Sequence, residues 1–309
     1  MELCVLFRFI LNILYGIILQ SAPLLARQDT WNIDFNTVSD PLSDSFRDGA
    51  NDTRAAASPP LLILLVFSPV DAAHERAAIR ATWGQSAAAC NIKIIFPFLP
   101  NYKLKSRNQI VEREARTHGD VFRSPKGPDN YYNDYELVRT ALSWAAASYP
   151  DTPFIGRATD DVWIAWPKVL RQLQQQRRDN EFIMGHFMHE QSVGAKDLLE
   201  SFFRLPASAE DAFAVPHLWI LPSASIEKLL QAVKYSKRSL STSDMLITGY
   251  ARNFRKMKIV QIDDYINMWD LAPDEAESFL TCNYSVIHGV YSEQKMNFHN
   301  LPCSVADAC

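Results

Sequence analysis

The stretch LLILLVFSPVDAAHERAAIRATWG, Leu61–Gly84, decides the fold class. Leu61–Phe67 is a continuous apolar run, the pattern of a strand buried on both faces. A Ser-Pro-Val-Asp loop follows, and then Glu75–Trp83 places apolar residues at helical spacing. The same alternation recurs along the chain. Strands are expected at Ile92–Leu99, Phe154–Thr159, Glu181–Met184, Leu218–Leu221 and Lys258–Ile262, and helices at Asn108–Thr117, Tyr135–Ala147, Pro167–Arg177, Ile226–Tyr235 and Ser243–Phe254. Short apolar strands alternating with helices predict an α/β fold, Rossmann-like, with a mostly parallel sheet covered by helices on both faces. Ligands of such sheets bind at the C-terminal ends of the strands.

One of those ends carries adjacent carboxylates. FIGRATDDVWIAW, Phe154–Trp166, sets Asp160 and Asp161 directly after an apolar strand. A turn or helix cap accounts for such a pair, and so does a divalent cation that holds a phosphate. A second pair, Asp263-Asp264, stands in a similar setting, so the pair alone does not choose. The chain has only 10 Gly, with no G-x-G-x-x-G or Walker A arrangement. A Gly-rich phosphate cradle is therefore excluded, and a cation bridging carboxylates to a diphosphate is the substitute. His186 and His189 are spaced H-x-x-H-E rather than H-E-x-x-H, which argues against zinc. Trp163 and Trp166 read as core or pocket wall.

The 309 residues are 48% hydrophobic with a net charge of −4, so a nucleic-acid footprint is not expected. Leu3–Leu25 is almost wholly apolar, with Arg8 its only charge. Residues 1–26 are read as a signal-anchor transmembrane segment or, alternatively, a cleaved signal peptide. Residues 27–58, rich in Asp, Ser, Asn and Arg, read as a flexible stem, and 59–309 as the folded domain. The sequons at Asn51 and Asn283 suit glycosylation in the secretory lumen. Beyond Cys4, the chain keeps Cys90, Cys282, Cys303 and Cys309, an even number that allows three pairings; Cys282 with Cys303 is favoured by proximity.

Several segments together resemble the β-1,3-galactosyltransferases and N-acetylglucosaminyltransferases related to Fringe, glycosyltransferase family 31. Arg76, Ile79, Arg80, Thr82, Trp83 and Gly84 match R-x-x-I-R-x-T-W-G. GDVFRSPKGPDNYYN resembles G-D-I…D-x-Y-x-N through Asp129, Tyr131 and Asn133, and FIGRATDDVW aligns with Y-V-x-K-T-D-D-D-V-F. STSDMLITG aligns with the E-D-V-x-x-T-G segment, and IHGVYSEQKMNFHNLPC is similar to the H-x-V-S-P-E-x-M…W…C tail. The departures are Thr159 for the first acid of the triplet, Ser243 for the Glu beside the base, Leu137 for a Lys, and Val215-Pro216-His217-Leu218-Trp219 for a glycine-rich acceptor loop.

The resemblance implies a GT-A-like domain, tethered in the Golgi membrane as a single-pass type II protein with its catalytic domain luminal. It implies an inverting transfer of galactose or N-acetylglucosamine from a UDP-sugar to a glycan hydroxyl in β-1,3 linkage, as an enzyme of protein glycosylation. Asp161, Asp160 and His288 would then hold Mn²⁺, and Asp244 would be the general base. Arg76, Arg80, Asp129, Asn133 and Thr159 would meet the nucleotide-sugar. The partners are the UDP-sugar, a glycoprotein or glycolipid acceptor, and the membrane. The alternatives are a non-catalytic luminal sugar-binding or chaperone-like relative and a metal-dependent hydrolase.

Overall fold

The computed structural model describes residues 58–98, 105–124, 134–176, 181–188, 212–234, 242–270 and 277–301, all within a unit running from Arg54 to Cys309. The apolar leader, the stem with Asn51, and Asp129, Asn133, His189, Cys303 and Cys309 lie outside them. Among the described residues no helix is long and apolar enough to cross a membrane. Cys90 and Cys282 are each in a disulfide.

In chain order the strands are β1 (Leu62–Phe67), β2 (Ile92–Phe98), β3 (Val121–Arg123), β4 (Phe154–Thr159), β5 (Val162–Ile164), β6 (Phe182–Met188), β7 (Phe213–Pro222), β8 (Lys258–Gln261), β9 (Tyr265–Asn267) and β10 (Val286–His288). Seven of them form one sheet in the order β3-β2-β1-β4-β7-β6-β8. Only β7 runs antiparallel to its neighbours, β4 and β6; the β1–β2, β2–β3, β1–β4 and β6–β8 pairs are parallel. This is the expected α/β, GT-A-like, mostly parallel sheet. A second sheet, β5-β10-β9, was not foreseen. Its three-residue strands are too short to show a period.

Helices α1 (Ala73–Ala81), α2 (Trp83–Ala89), α3 (Lys105–His118), α4 (Asp134–Ser148), α5 (Trp166–Gln174), α6 (Ile226–Val233), α7 (Glu277–Asn283) and α8 (Ser292–His299) cover the sheets. The expected helix Ser243–Phe254 is instead π-helical over Met245–Ala251, with an α-helical turn at Arg252–Phe254. The stretch Glu75–Trp83 is broken at Thr82, whose hydroxyl donates back to the Ala78 carbonyl at 2.7 Å.

Burial explains why β1 has no polar residue. Leu62, Leu64 and Val66 face one core, with Ile79 and Trp83 and with Val169 and Leu173 of α5. Ile63 and Leu65 face the other, with Val138 and Leu142 of α4 and Leu229 of α6. A strand buried on both faces must be apolar at every position, and each such side chain contributes about 1.5–3 kcal/mol. Gly84 is fixed by close approach: a Cβ there would lie 2.5 Å from the Ile79 carbonyl oxygen. Gly84→Ala is expected to cost about 1–3 kcal/mol, read as a lower urea midpoint at unchanged slope.

Candidate active site

At the end of β4 the chain turns through Asp160 and Asp161 into β5. The turn is held from three directions. The Asp161 carbonyl accepts from the N–H groups of Gly289 and Val290, both at 2.9 Å. The Trp83 indole donates to the Val162 carbonyl at 2.9 Å, and β5 pairs antiparallel with β10. Gly289 has φ +83°, a left-handed conformation that favours glycine. The clamp brings His288 onto Asp161, with Nε2 3.2 Å from Oδ2.

The two carboxyls are pushed in opposite directions. Burial raises Asp160, against the Ser68 hydroxyl that donates to its Oδ2 at 2.6 Å and alongside the neighbouring Asp161 charge. Burial also opposes ionisation of Asp161, but His288 beside it and the nearby Thr159 hydroxyl together hold it down to about 2. Asp161 is therefore the standing anion of the pair. Its Oδ1, the Thr159 hydroxyl and His288 Nδ1 are buried without a well-formed hydrogen bond. A carboxylate and an imidazole with unused polar atoms fit the donor preferences of Mn²⁺. No group of three or more His, Cys, Asp or Glu placed to hold a metal occurs among the described residues. Two protein donors would suit a cation completed by water and phosphate oxygens.

Behind His288 lies a column of rings. His217 stacks on His288 with centroids 3.4 Å apart, and its Nδ1 is 2.7 Å from the Tyr265 hydroxyl. His186 stacks on Tyr265 at 4.1 Å, which places that histidine in a structural role. Burial, with the nearby His288 adding to it, lowers His217 to about 3, so its ring is neutral. His217 stands in the Val215–Trp219 segment noted as a departure in the sequence.

Asp244, only 4% exposed, sits over the sheet at the start of the π-helical turn. Its Oδ1 accepts from Arg157 of β4 and from the Trp219 indole of β7 at 2.8 Å. Arg157 and Trp219 face each other across the β4–β7 ladder. Thr159, two residues beyond Arg157, is about 7 Å further along the strand. Asp244 and the Asp161 turn therefore lie at the same end of β4.

The arginines require a correction. Arg76 and Arg80 share a helix face as expected, but that face meets protein. Arg76 is fully buried; it donates to Glu114 of α3 at 2.7 and 2.8 Å, to Ser68 Oγ at 3.0 Å and to the Pro69 and Val70 carbonyls. Arg80 is held by Glu114 and by both oxygens of Asp120. Arg76 has no open side for a phosphate, and it reaches Asp160 only through Ser68. Glu75 pairs with buried Lys295 of α8 at 2.6 Å and accepts from the Ser292 N–H. Asn283 is exposed at the end of α7, and its amide donates to the Phe279 carbonyl at 2.8 Å. Trp163 and Trp166 are core residues.

The galactosyltransferase family model matches residues 74–264, which span α1 to the start of β9. The chain belongs to the galactosyltransferase family. Among the relatives it resembles, beta-1,3-galactosyltransferase 5 of Gorilla gorilla gorilla is 28% identical over 43% of this chain and 45% of that protein. The human acetylgalactosaminyl-O-glycosyl-glycoprotein beta-1,3-N-acetylglucosaminyltransferase is 27% identical over 57% of this chain and 48% of that one. The chain spans less than half the length of these relatives. Among solved structures, the apo WbbM bifunctional glycosyltransferase superposes with a TM-score of 0.44 at 9% identity, covering 81% of this chain and 51% of that one. At that distance the fold rests on the strand order itself.

In this family member, R-x-x-I-R-x-T-W-G is a scaffold motif. Arg76 fastens the β1–α1 loop, Arg80 fastens α1 to α3, and Trp83 fastens the start of β5. Sequence reasoning missed Ser68, Glu75, Arg157, Tyr265 and Lys295, and it marked His217 and Trp219 only as a departure from the resembled family. Among the missed residues Arg157 carried a signal, as a charge inside an otherwise apolar strand.

Proposed function

We propose that the chain is an inverting glycosyltransferase that moves galactose or N-acetylglucosamine from a UDP-sugar to a glycan hydroxyl in β-1,3 linkage. The observation that carries this reading is the Asp161–His288 pair at the end of β4, with Asp161 Oδ1 unused. Family membership and the names of the relatives supply the sugar chemistry.

Asp161 and His288 would hold the divalent cation, Mn²⁺ by donor type, with Asp160 beside them. When bound, the cation neutralises charge on the departing diphosphate. Ser68 orients Asp160, and the Gly289–Val290 clamp holds Asp161 toward His288. Asp244 is assigned the acceptor-hydroxyl proton. Its Oδ1 is committed to Arg157 and Trp219, so Oδ2 is the atom that would take it. Disulfides at Cys90 and Cys282 favour an oxidising compartment, and with the apolar leader they support a luminal domain on a Golgi membrane.

The buried Arg157–Asp244 pair favours a second reading, in which Asp244 only ties the π-helical turn to the sheet and the chain binds sugar nucleotide without transfer. Calorimetry of the full chain with UDP, with and without Mn²⁺, tests the common part. Mn²⁺ is expected to tighten UDP binding by at least about tenfold, or 1.4 kcal/mol. Equal affinities would remove the cation site from the reading, and a donor and acceptor screen then separates transfer from binding alone.

A further inference from the structure

Trp269 is the most exposed large apolar side chain among the described residues, at 69%. A lone surface aromatic ordinarily needs no explanation. This one is held in place. Its backbone N–H donates to Asn267 Oδ1 at 3.2 Å, which fixes the main chain in the 3₁₀ turn Met268–Asp270 that follows β9. Its indole meets His288 edge to face at 5.1 Å. Gly289 makes room for it: a Cβ there would lie 3.3 Å from Met268 Cβ and 3.6 Å from the Trp269 indole nitrogen. A large flat ring is thus fixed in water at the rim of the Asp161–His288 pair.

Tyr291, three residues beyond His288, is also exposed. Its phenol is raised first by burial and then by the Asp161, Glu75 and Asp160 charges, which places it within their field. The ring that Trp269 meets is the His288 imidazole, which in turn meets the Asp161 carboxylate, so the surroundings of the indole are polar. A protein partner would need a contiguous apolar patch, which an indole beside an imidazole and carboxylates does not provide. A pyranose offers the complement: one C–H face for the indole and hydroxyls around its edge for the polar neighbours.

Strand order indicates which sugar. In the small sheet β10 lies between β5 and β9, so Trp269 is on the side of His288 away from the β4–β5 turn. A nucleotide over the C-terminal ends of β1 and β4 occupies the Ser68–Asp160 side. We propose that Trp269 is the stacking platform for the acceptor sugar ring; this deepens the transferase reading above and rests on it for the word acceptor.

The test is the Trp269 indole N–H resonance of the full chain, assigned by its disappearance in Trp269→Phe. It is titrated with methyl β-galactoside, with methyl N-acetyl-β-glucosaminide and with UDP–Mg²⁺, each glycoside also in the presence of UDP–Mg²⁺. One of the glycosides is expected to shift the resonance saturably. Trp269→Ala should weaken that glycoside by about tenfold, Trp269→Phe should retain most of the affinity, and UDP affinity should stay within twofold in both. A glycoside that shifts the resonance while UDP fails to bind would keep the platform and overturn the donor reading. UDP binding with no response to either glycoside, or a Trp269→Ala loss confined to UDP, would overturn the platform.

Discussion

Asp244→Asn is expected to cut sugar transfer by about 10²–10⁴-fold, the usual contribution of a positioned base, while UDP–Mn²⁺ affinity holds. The substitution is not structurally silent. Asn keeps an oxygen for the Trp219 indole but removes the charge opposite buried Arg157, and breaking one half of a buried ion pair costs about 3–5 kcal/mol. Activity must therefore be compared at a temperature where circular dichroism shows both proteins folded. Arg157→Met separates the two roles. The double variant Arg157→Met/Asp244→Asn should be less destabilised than the sum of the single variants, because neither buried partner is then left alone. Stability should return in that double variant, and transfer should not. Undiminished transfer by folded Asp244→Asn would confine Asp244 to tying the π-helical turn to β4 and β7.

Asp161→Asn should abolish most of the gain that Mn²⁺ gives to UDP binding. Losing an outer-shell partner already costs a metal site about 10–100-fold in affinity, and a direct ligand should cost at least as much. The fold should survive, since the clamp uses the Asp161 backbone carbonyl rather than its side chain. Asp160→Asn is the internal comparison. Its carboxyl is bonded to Ser68 and pushed toward the neutral form, so its loss should matter less. Calorimetry of UDP with and without Mn²⁺ reads both variants, and equal losses would make the two carboxylates joint ligands.

The main sheet was legible because β1 is apolar throughout, as burial on two faces requires, and β2 and β4 are nearly so, each interrupted by a single charge, Lys93 and Arg157. Asp160, Asp161 and His288 were proposed from strand-end placement and resemblance to the family, and the structure places Asp161 and His288 side by side. What failed were questions about partners remote in the chain. Whether Arg76 faces solvent or core depends on Glu114, 38 residues away, and local spacing does not carry that information. The strands β5, β9 and β10 exist because they pair with one another, at a length where propensity says little. The fit of His217 against His288 likewise joins β7 to β10, two segments noted in the sequence separately with nothing to say that they touch.

Asp161 and His288 lie 127 residues apart, and the clamp between them closes through β10 and the Gly289 and Val290 that follow it. Synthesis is vectorial, so every strand of the seven-stranded sheet has been made before His288 is added. A chain stopped before Val286 would contain that whole sheet and Asp161, yet lack the imidazole, the clamp and the Lys295 that anchors Glu75. Premature termination or C-terminal trimming there would leave the seven sheet strands with half of the Asp161–His288 pair, making the last stretch of translation the step at which the proposed site comes into being.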